Sequence, residues 1–240
     1  MSSELIEYIK DAIFPRRCPI CTRVVSHGAG YIHEECRKKL TYAGKTVCEK
    51  CGRIIWDKTR KYCLHCEKDT SGYYFTLGRG LFLQDRFLSQ SLYELKYRNC
   101  REYADFFGSE MAEVYSEEIR AWKISAIVPV PTHISRIKER GYNQTFILAD
   151  VLSKKTGIPL REMLIRTRKT TKQKDLTFAQ RTKNMKGAFR SVPGMRIRGN
   201  ILLIDDIFTT GSTVNNCAAA LLEAGAENVY FLTVSIGCEE

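Results

Sequence analysis

Two sets of residues have the types and spacing to do chemistry. The first comprises Cys18, Cys21, His33 and Cys36, followed by Cys48, Cys51, Cys63 and Cys66. Each quartet has two residues inside each pair and eleven between the pairs. A two-residue gap lets a tight turn aim both side chains at one tetrahedral ion, and an eleven-residue excursion can fold as a short hairpin that returns the second pair. The reading is two tandem zinc ribbons, one Cys₃His and one Cys₄. In the first, His33 as a surface histidine, with Cys36 or His27 otherwise engaged, is the alternative. His65 is a bystander between ligands. The neighbouring Arg16, Arg17, Arg23, Lys50 and Arg53 favour thiolates. Four protein ligands leave no open coordination position, so both zinc ions are expected to be structural.

The second set runs from Ile201 to Thr213. Four apolar residues, Ile201 to Ile204, suit a buried strand; Asp205 and Asp206 are expected to emerge at its end. Thr209, Thr210, Gly211, Ser212 and Thr213 then lead into a helix whose free N–H groups point back at the turn. Main-chain donors, hydroxyls and the helix dipole all favour a phosphate monoester there. The two carboxylates suit sugar hydroxyls, and would stabilise positive charge developing at an anomeric carbon. An ordinary capped strand end with a solvated acidic turn explains any one of these features but not their conjunction. The Gly-x-x-x-x-Gly-Lys-Ser/Thr pattern is missing, so the turn is not a P-loop.

The elements that must hold these residues follow from periodicity. A strand or hairpin with a turn at Gly78 and Gly80 is expected over 73–83, and helices over 87–97 and 103–115, with Leu88, Leu92, Leu95, Phe106 and Met111 facing inward. Their aromatic residues read as core rather than as a stacking platform. A strand over 124–130, a helix over 141–155, a weaker strand over 160–166, a strand over 200–204, a helix over 212–224 and a strand over 228–235 complete the pattern. Apolar strands alternating with helices predict an α/β fold, a parallel sheet covered on both faces, with ligands beyond the C-terminal ends of its strands.

The chain has 240 residues, 44% of them apolar, enough for a core, and a formal charge of +11. The charge is concentrated in 161–198, where twelve Lys or Arg stand against Glu162 and Asp175. Such a stretch suits a polyanion, with a solvated basic loop as the alternative. No apolar run is long enough for a membrane span and no signal peptide is evident, so a cytoplasmic location is expected, and metal ligation is favoured over disulfides for the cysteines.

The 201–213 segment resembles the phosphoribosyl-pyrophosphate (PRPP) motif of type I phosphoribosyltransferases. Val128 to Thr132, Arg140 to Gln144, Arg166 to Thr170, Gln173, Leu176, Arg181, Asn184 and Gly187 to Phe189, with the paired cysteines, extend the resemblance over nearly the whole chain to the competence protein F (ComF) family. The resemblance implies a type I phosphoribosyltransferase fold over 72–240 behind an N-terminal helix and double zinc-ribbon module over 1–71. It makes Asp205 and Asp206 ribose contacts, Thr209 to Thr213 the 5′-phosphate loop, and Pro129, Val130, Pro131 and Thr132 the turn near pyrophosphate. Arg140, Asn143 and Gln144 open the following helix. A flap within 166–187 would bring Arg166, Arg168, Lys169 or Arg181 to the leaving pyrophosphate. Mg²⁺ would accompany PRPP. The family is tied to DNA uptake in natural transformation and is similar to amidophosphoribosyltransferases. Those pair the domain with a glutaminase whose nucleophile is an N-terminal cysteine; here Ser2 follows Met1, so no ammonia source is expected. The implied activity is phosphoribosyl transfer from PRPP to a nitrogen acceptor. The alternatives are a single-stranded-DNA-binding protein with a non-catalytic PRPP pocket, or a zinc-stabilised adaptor for a DNA-uptake helicase. No general base stands out, and His133 reads as a loop residue.

Overall fold

Four apolar runs become the strands of one parallel sheet, in the spatial order Leu77–Leu83, Asn228–Ile236, Asn200–Phe208, Ile124–Pro129. The computed structural model describes residues 15–44, 46–68, 72–167 and 187–238. The strands are β1 (Leu77–Leu83), β2 (Ile124–Pro129), β5 (Asn200–Phe208) and β6 (Asn228–Ile236). Two short strands, β3 (Leu164–Arg166) and β4 (Phe189–Ser191), pair antiparallel beside it. The helices are α1 (Glu34–Arg37), α2 (Leu64–Lys68), α3 (Arg86–Tyr97), α4 (Tyr103–Val114), α5 (Ser116–Ala121), α6 (Ile134–Arg140), α7 (Gln144–Thr156) and α8 (Ser212–Glu223).

Alternation along each strand splits the core into two layers. On one face Leu202, Ile204, Leu232 and Val234 pack with Leu88, Leu92 and Leu95 of α3, Phe106, Phe107 and Met111 of α4, and Leu148 and Leu152 of α7. On the other, Ile201, Leu203, Val229 and Phe231 pack with Val214, Cys217, Ala218 and Leu221 of α8. The ribbons divide in the same way. Cys18, Ile32, Cys36 and Leu40 join the first layer, and Cys48, Cys51, Ile55 and Cys63 the second.

The segment joining the ribbons lies along the outer edge of β1. Ala43 N–H donates to Leu81 O at 3.1 Å and Leu83 N–H to Thr41 O at 2.7 Å, so main-chain groups that would be open at a sheet edge are paired. The expected turn at Gly78 and Gly80 does not form; both lie inside β1. Side chains there would collide with the Phe231 ring and with Ile236 of β6, so these glycines make room for a neighbouring strand. The weak strand expected over 160–166 is also divided: Leu160 makes one bridge to Ile127 of β2, and only Leu164–Arg166 forms a strand, paired away from the main sheet. Among the described residues no helix is long and apolar enough to cross a membrane.

Candidate functional site

Both cysteine quartets close into clusters whose ligand atoms lie within 4.8 Å of one another. Zinc–sulfur bonds of about 2.3 Å place the sulfurs of a tetrahedral site about 3.8 Å apart. Cys51 and Cys63 Sγ stand 3.7 Å apart, and Cys21 Sγ stands 3.3 Å from His33 Nδ1, so both donor sets fit zinc. His33 Nε2–H donates to Val24 O at 3.0 Å, which turns Nδ1 toward the thiolates. The structure therefore places His33 and Cys36 in the first cluster, not His33 as a free surface histidine. Each ribbon is closed by the same knuckle: Cys18 N–H bonds Arg23 O and Thr22 N–H bonds Cys18 O, as Cys48 N–H bonds Arg53 O and Gly52 N–H bonds Cys48 O.

The second site lies at the C-terminal end of β5. This strand runs four residues further than its apolar core, so Asp205 and Asp206 sit inside it rather than past its end, each only 7% exposed. The two carboxylates are interacting neighbours, with Asp206 N–H donating to Asp205 Oδ1 at 2.9 Å, and each has further surroundings of its own. Asp205 lines a shallow, open hollow with Thr209, Thr210, Gly211, Ser212 and Thr213. Asp206 forms an ion pair with Lys96 of α3. Burial, and then the charge of Asp206, push the Asp205 carboxyl well above the usual carboxylate range. Burial acts in the same direction on Asp206, but the ammonium of Lys96 outweighs it and holds that carboxyl below its ordinary value.

Gly211 adopts the left-handed conformation, φ 79°, immediately before α8. A side chain there would be strained and would press on Phe208. The Thr210 and Ser212 hydroxyls are hydrogen-bonded at 2.8 Å, and Asn215 N–H donates to Gly211 O at 2.8 Å, the first helical bond beyond the turn. Ser212 N–H is capped by Thr210 Oγ1 at 3.3 Å, and the start of α8 lines the hollow, so an anion held there would gain the helix dipole and the amides that follow.

The neighbouring turn, Pro129 to Thr132, is set beside β5 by Val130 N–H donating to Ile204 O at 3.0 Å. Asn143 ties it to α7: its side chain accepts from Thr132 Oγ1 at 2.8 Å and caps Thr145 N–H, while Thr145 Oγ1 donates to Val130 O at 2.6 Å. Arg140 donates to Gln144 Oε1 at 3.0 Å and to the Tyr97 hydroxyl at 2.9 Å. His133 caps α6. Arg166 is brought into electrical reach of Asp205; its burial and the charge of Arg136 lower its pKa, while Cys217 and Asp205 oppose that shift. Arg168, Lys169, Thr170, Gln173, Leu176, Arg181 and Asn184 lie outside the described residues.

Two residues at the site were not legible from sequence. Lys96 follows the inward Leu88, Leu92 and Leu95 stripe and has the pattern of a solvated helical lysine. Arg53 reads as a cation near thiolates, yet its guanidinium donates to Thr209 O, 156 residues away, and no spacing in the sequence signals that contact.

A parallel sheet with a hydroxyl-rich turn at a helix start, joined to paired metal ribbons, defines the class: an α/β domain behind a double zinc ribbon. Residues 9–67 match the double zinc ribbon domain family. The chain is 28% identical over 194 residues to Competence protein ComFC of Bacillus subtilis (strain 168), covering 79% of this chain and 77% of that one. It is also 28% identical over 220 residues to Competence protein F of Haemophilus influenzae, covering 81% and 92%. DNA utilization protein YhgH of Escherichia coli (strain K12) is 28% identical over 219 residues, covering 90% and 94%. The resemblance to the ComF family is thus borne out: the chain is a homologue of these competence and DNA utilization proteins. Among solved structures, glutamine PRPP amidotransferase from B. subtilis overlaps at a TM-score of 0.41 and 20% identity. That overlap covers 59% of this chain and only 30% of the amidotransferase. Purine phosphoribosyltransferase from Pyrococcus horikoshii overlaps at 0.33 and 19%, covering 55% and 74%.

Proposed function

We propose that the hollow at the β5–α8 turn binds the 5′-phosphate of PRPP, and that the protein is a phosphoribosyltransferase-like member of its family acting in the handling of incoming DNA. The observation that carries the reading is the convergence of Asp205, four hydroxyl side chains and the N-terminus of a twelve-residue helix on one open hollow. The names of the homologous competence and DNA utilization proteins support the cellular role. We take residues 1–71 as the ribbon module and 72–240 as the domain that carries the site.

In this reading the turn holds the phosphate through the α8 amides and the Thr209 to Thr213 hydroxyls, and Asp205 faces the ribose. Pro129 to Thr132 form the wall nearest pyrophosphate. Mg²⁺, when bound with PRPP, offsets the charge of the pyrophosphate. Asp205, whose carboxyl is held toward its protonated form by burial, is then placed to exchange hydrogen bonds with ribose hydroxyls. Arg166, Arg168 and Lys169 supply cations for the leaving group, and an acceptor nitrogen takes its place.

Calorimetry with PRPP and Mg²⁺ tests the site. The wild type is expected to bind, and Thr213→Asp, which sets a carboxylate against the phosphate, to lose binding without loss of folding. Absence of heat with the wild type defeats the reading. Pyrophosphate release with a panel of nitrogen acceptors then separates a transferase from a PRPP-binding protein.

A further inference from the structure

The second zinc ribbon reaches the phosphate turn through one side chain. Its knuckle, Cys48 to Arg53, lies against the start of β1, where Gly78 N–H donates to Lys50 O at 2.9 Å. Gly52 permits this approach: a Cβ there would stand 2.5 Å from Gly78 O and 2.8 Å from Arg79 Cα. Arg53 comes next. Its own carbonyl accepts from Cys48 N–H at 2.8 Å, so its main chain is part of the metal knuckle. Its side chain, in a residue only 6% exposed, crosses to the turn and donates to Thr209 O, with the guanidinium 5.7 Å from the centre of the Phe208 ring.

The direction of that hydrogen bond matters. A turn that aims main-chain N–H groups at an anion must direct some carbonyls away from it, and an unpaired buried carbonyl is costly. Thr209 O is such a group, and Arg53 supplies both its donor and a positive charge behind the cradle. The other side of the turn is held from the chain just after the ribbon, where Tyr74 N–H donates to Asn215 Oδ1 at 2.6 Å in the first turn of α8. Phe208 is stacked on Phe231, ring centres 4.8 Å apart, and Phe75 meets both edge-on.

We infer that Arg53 is a positioning residue for the phosphate turn, through which the second zinc knuckle sets the geometry of the anion site. Arg53 does not line the hollow, so it acts through Thr209 rather than on the ligand. The first ribbon packs on the opposite sheet layer and makes no comparable contact among the described residues. Zinc at the Cys₄ site and order in the turn are therefore linked, whereas zinc at the Cys₃His site is not linked to the turn. The consequence for PRPP affinity rests on the sugar-phosphate reading above.

Amide hydrogen exchange on the full chain, read with zinc content, tests this. Arg53→Met is expected to keep two zinc ions and to speed exchange at Ser212 and Asn215 by about tenfold, the scale of losing a charge-assisted hydrogen bond. Arg53→Lys recovers part of the protection. Arg60→Met, which breaks an ion pair with Glu67 in the same ribbon, leaves those amides at the wild-type rate. Wild-type exchange in Arg53→Met overturns the inference. If Arg53→Met does not retain its second zinc, the decision passes to Cys63→Ser against Cys21→Ser: faster exchange in the turn for the first alone supports the linkage, and equal effects, or none, overturn it. PRPP affinity in Arg53→Met is expected to fall about tenfold. If the wild type does not bind PRPP, the sugar-phosphate reading fails while the exchange result still decides the role of Arg53.

Discussion

The two zinc ribbons have identical ligand spacing and the same knuckle, yet they belong to different halves of the molecule. The first binds to the helical layer: Arg37 of α1 pairs with Glu110 of α4 at 2.7 Å, and Cys18 and Cys36 lie in the core with α3, α4 and α7. The second joins the layer that contains α8 and touches the phosphate turn through Arg53. The position after the second cysteine of each knuckle shows the difference. It is left-handed in both, φ 61° at Thr22 and 73° at Gly52. In the first ribbon nothing crowds that position enough to exclude threonine. In the second the backbone of β1 comes so close that only glycine fits. Equal spacing thus builds two clusters of the same shape, and the surroundings decide whether a ribbon only stabilises or also contacts the β5–α8 turn.

The largest effect expected from this contrast is on metal retention. Cys48, Cys51 and Cys63 are buried, whereas Cys21 and His33 are partly open to solvent. A chelator titration followed by a metal-sensitive dye should release zinc in two steps, the Cys₃His ion first. Cys63→Ser should lower Tm by more than about 10 °C, since structural zinc contributes folding free energy directly. Cys21→Ser should cost less and leave PRPP binding intact. Release of both ions in one step, or equal losses in the two variants, would remove the distinction between the ribbons.

A smaller effect is expected at the acidic pair. Lys96→Met leaves a buried carboxylate without its partner and should cost about 3–5 kcal/mol at neutral pH. The Asp206 carboxyl is held below its ordinary value, so the stability it contributes is present above the unfolded carboxylate range and is lost as pH falls through its folded value. The gap between wild type and Lys96→Met in denaturant unfolding should therefore close in acid. Lys96→Met with Asp206→Asn should recover most of the loss. A gap independent of pH would show that the lysine acts through packing alone.

Much of this arrangement was legible in the sequence because it depends on local rules. Cysteine spacing gave both metal sites, and apolar runs gave all four strands of the main sheet. The hydroxyl-rich turn after the strand marked the proposed anion site without tertiary information. What could not be read depends on partners distant in the chain. Gly78 and Gly80 look like a turn until Phe231 and Ile236 occupy the space beside them. Asp205 and Asp206 read as residues past a strand end, but β5 continues through them, and only Asp206 gains an ion pair, with Lys96. Lys96 and Arg53 read as generic cations because each acts on a group more than a hundred residues away, Asp206 and Thr209 O.

The most direct test is an amide chemical-shift titration with ribose 5-phosphate, followed by PRPP with Mg²⁺. Saturable shifts concentrated at Gly211, Ser212 and Thr213, with the knuckle amides of Cys18 to Thr22 unmoved, are the predicted result. Shifts elsewhere with the turn amides unmoved would contradict a sugar phosphate at the start of α8.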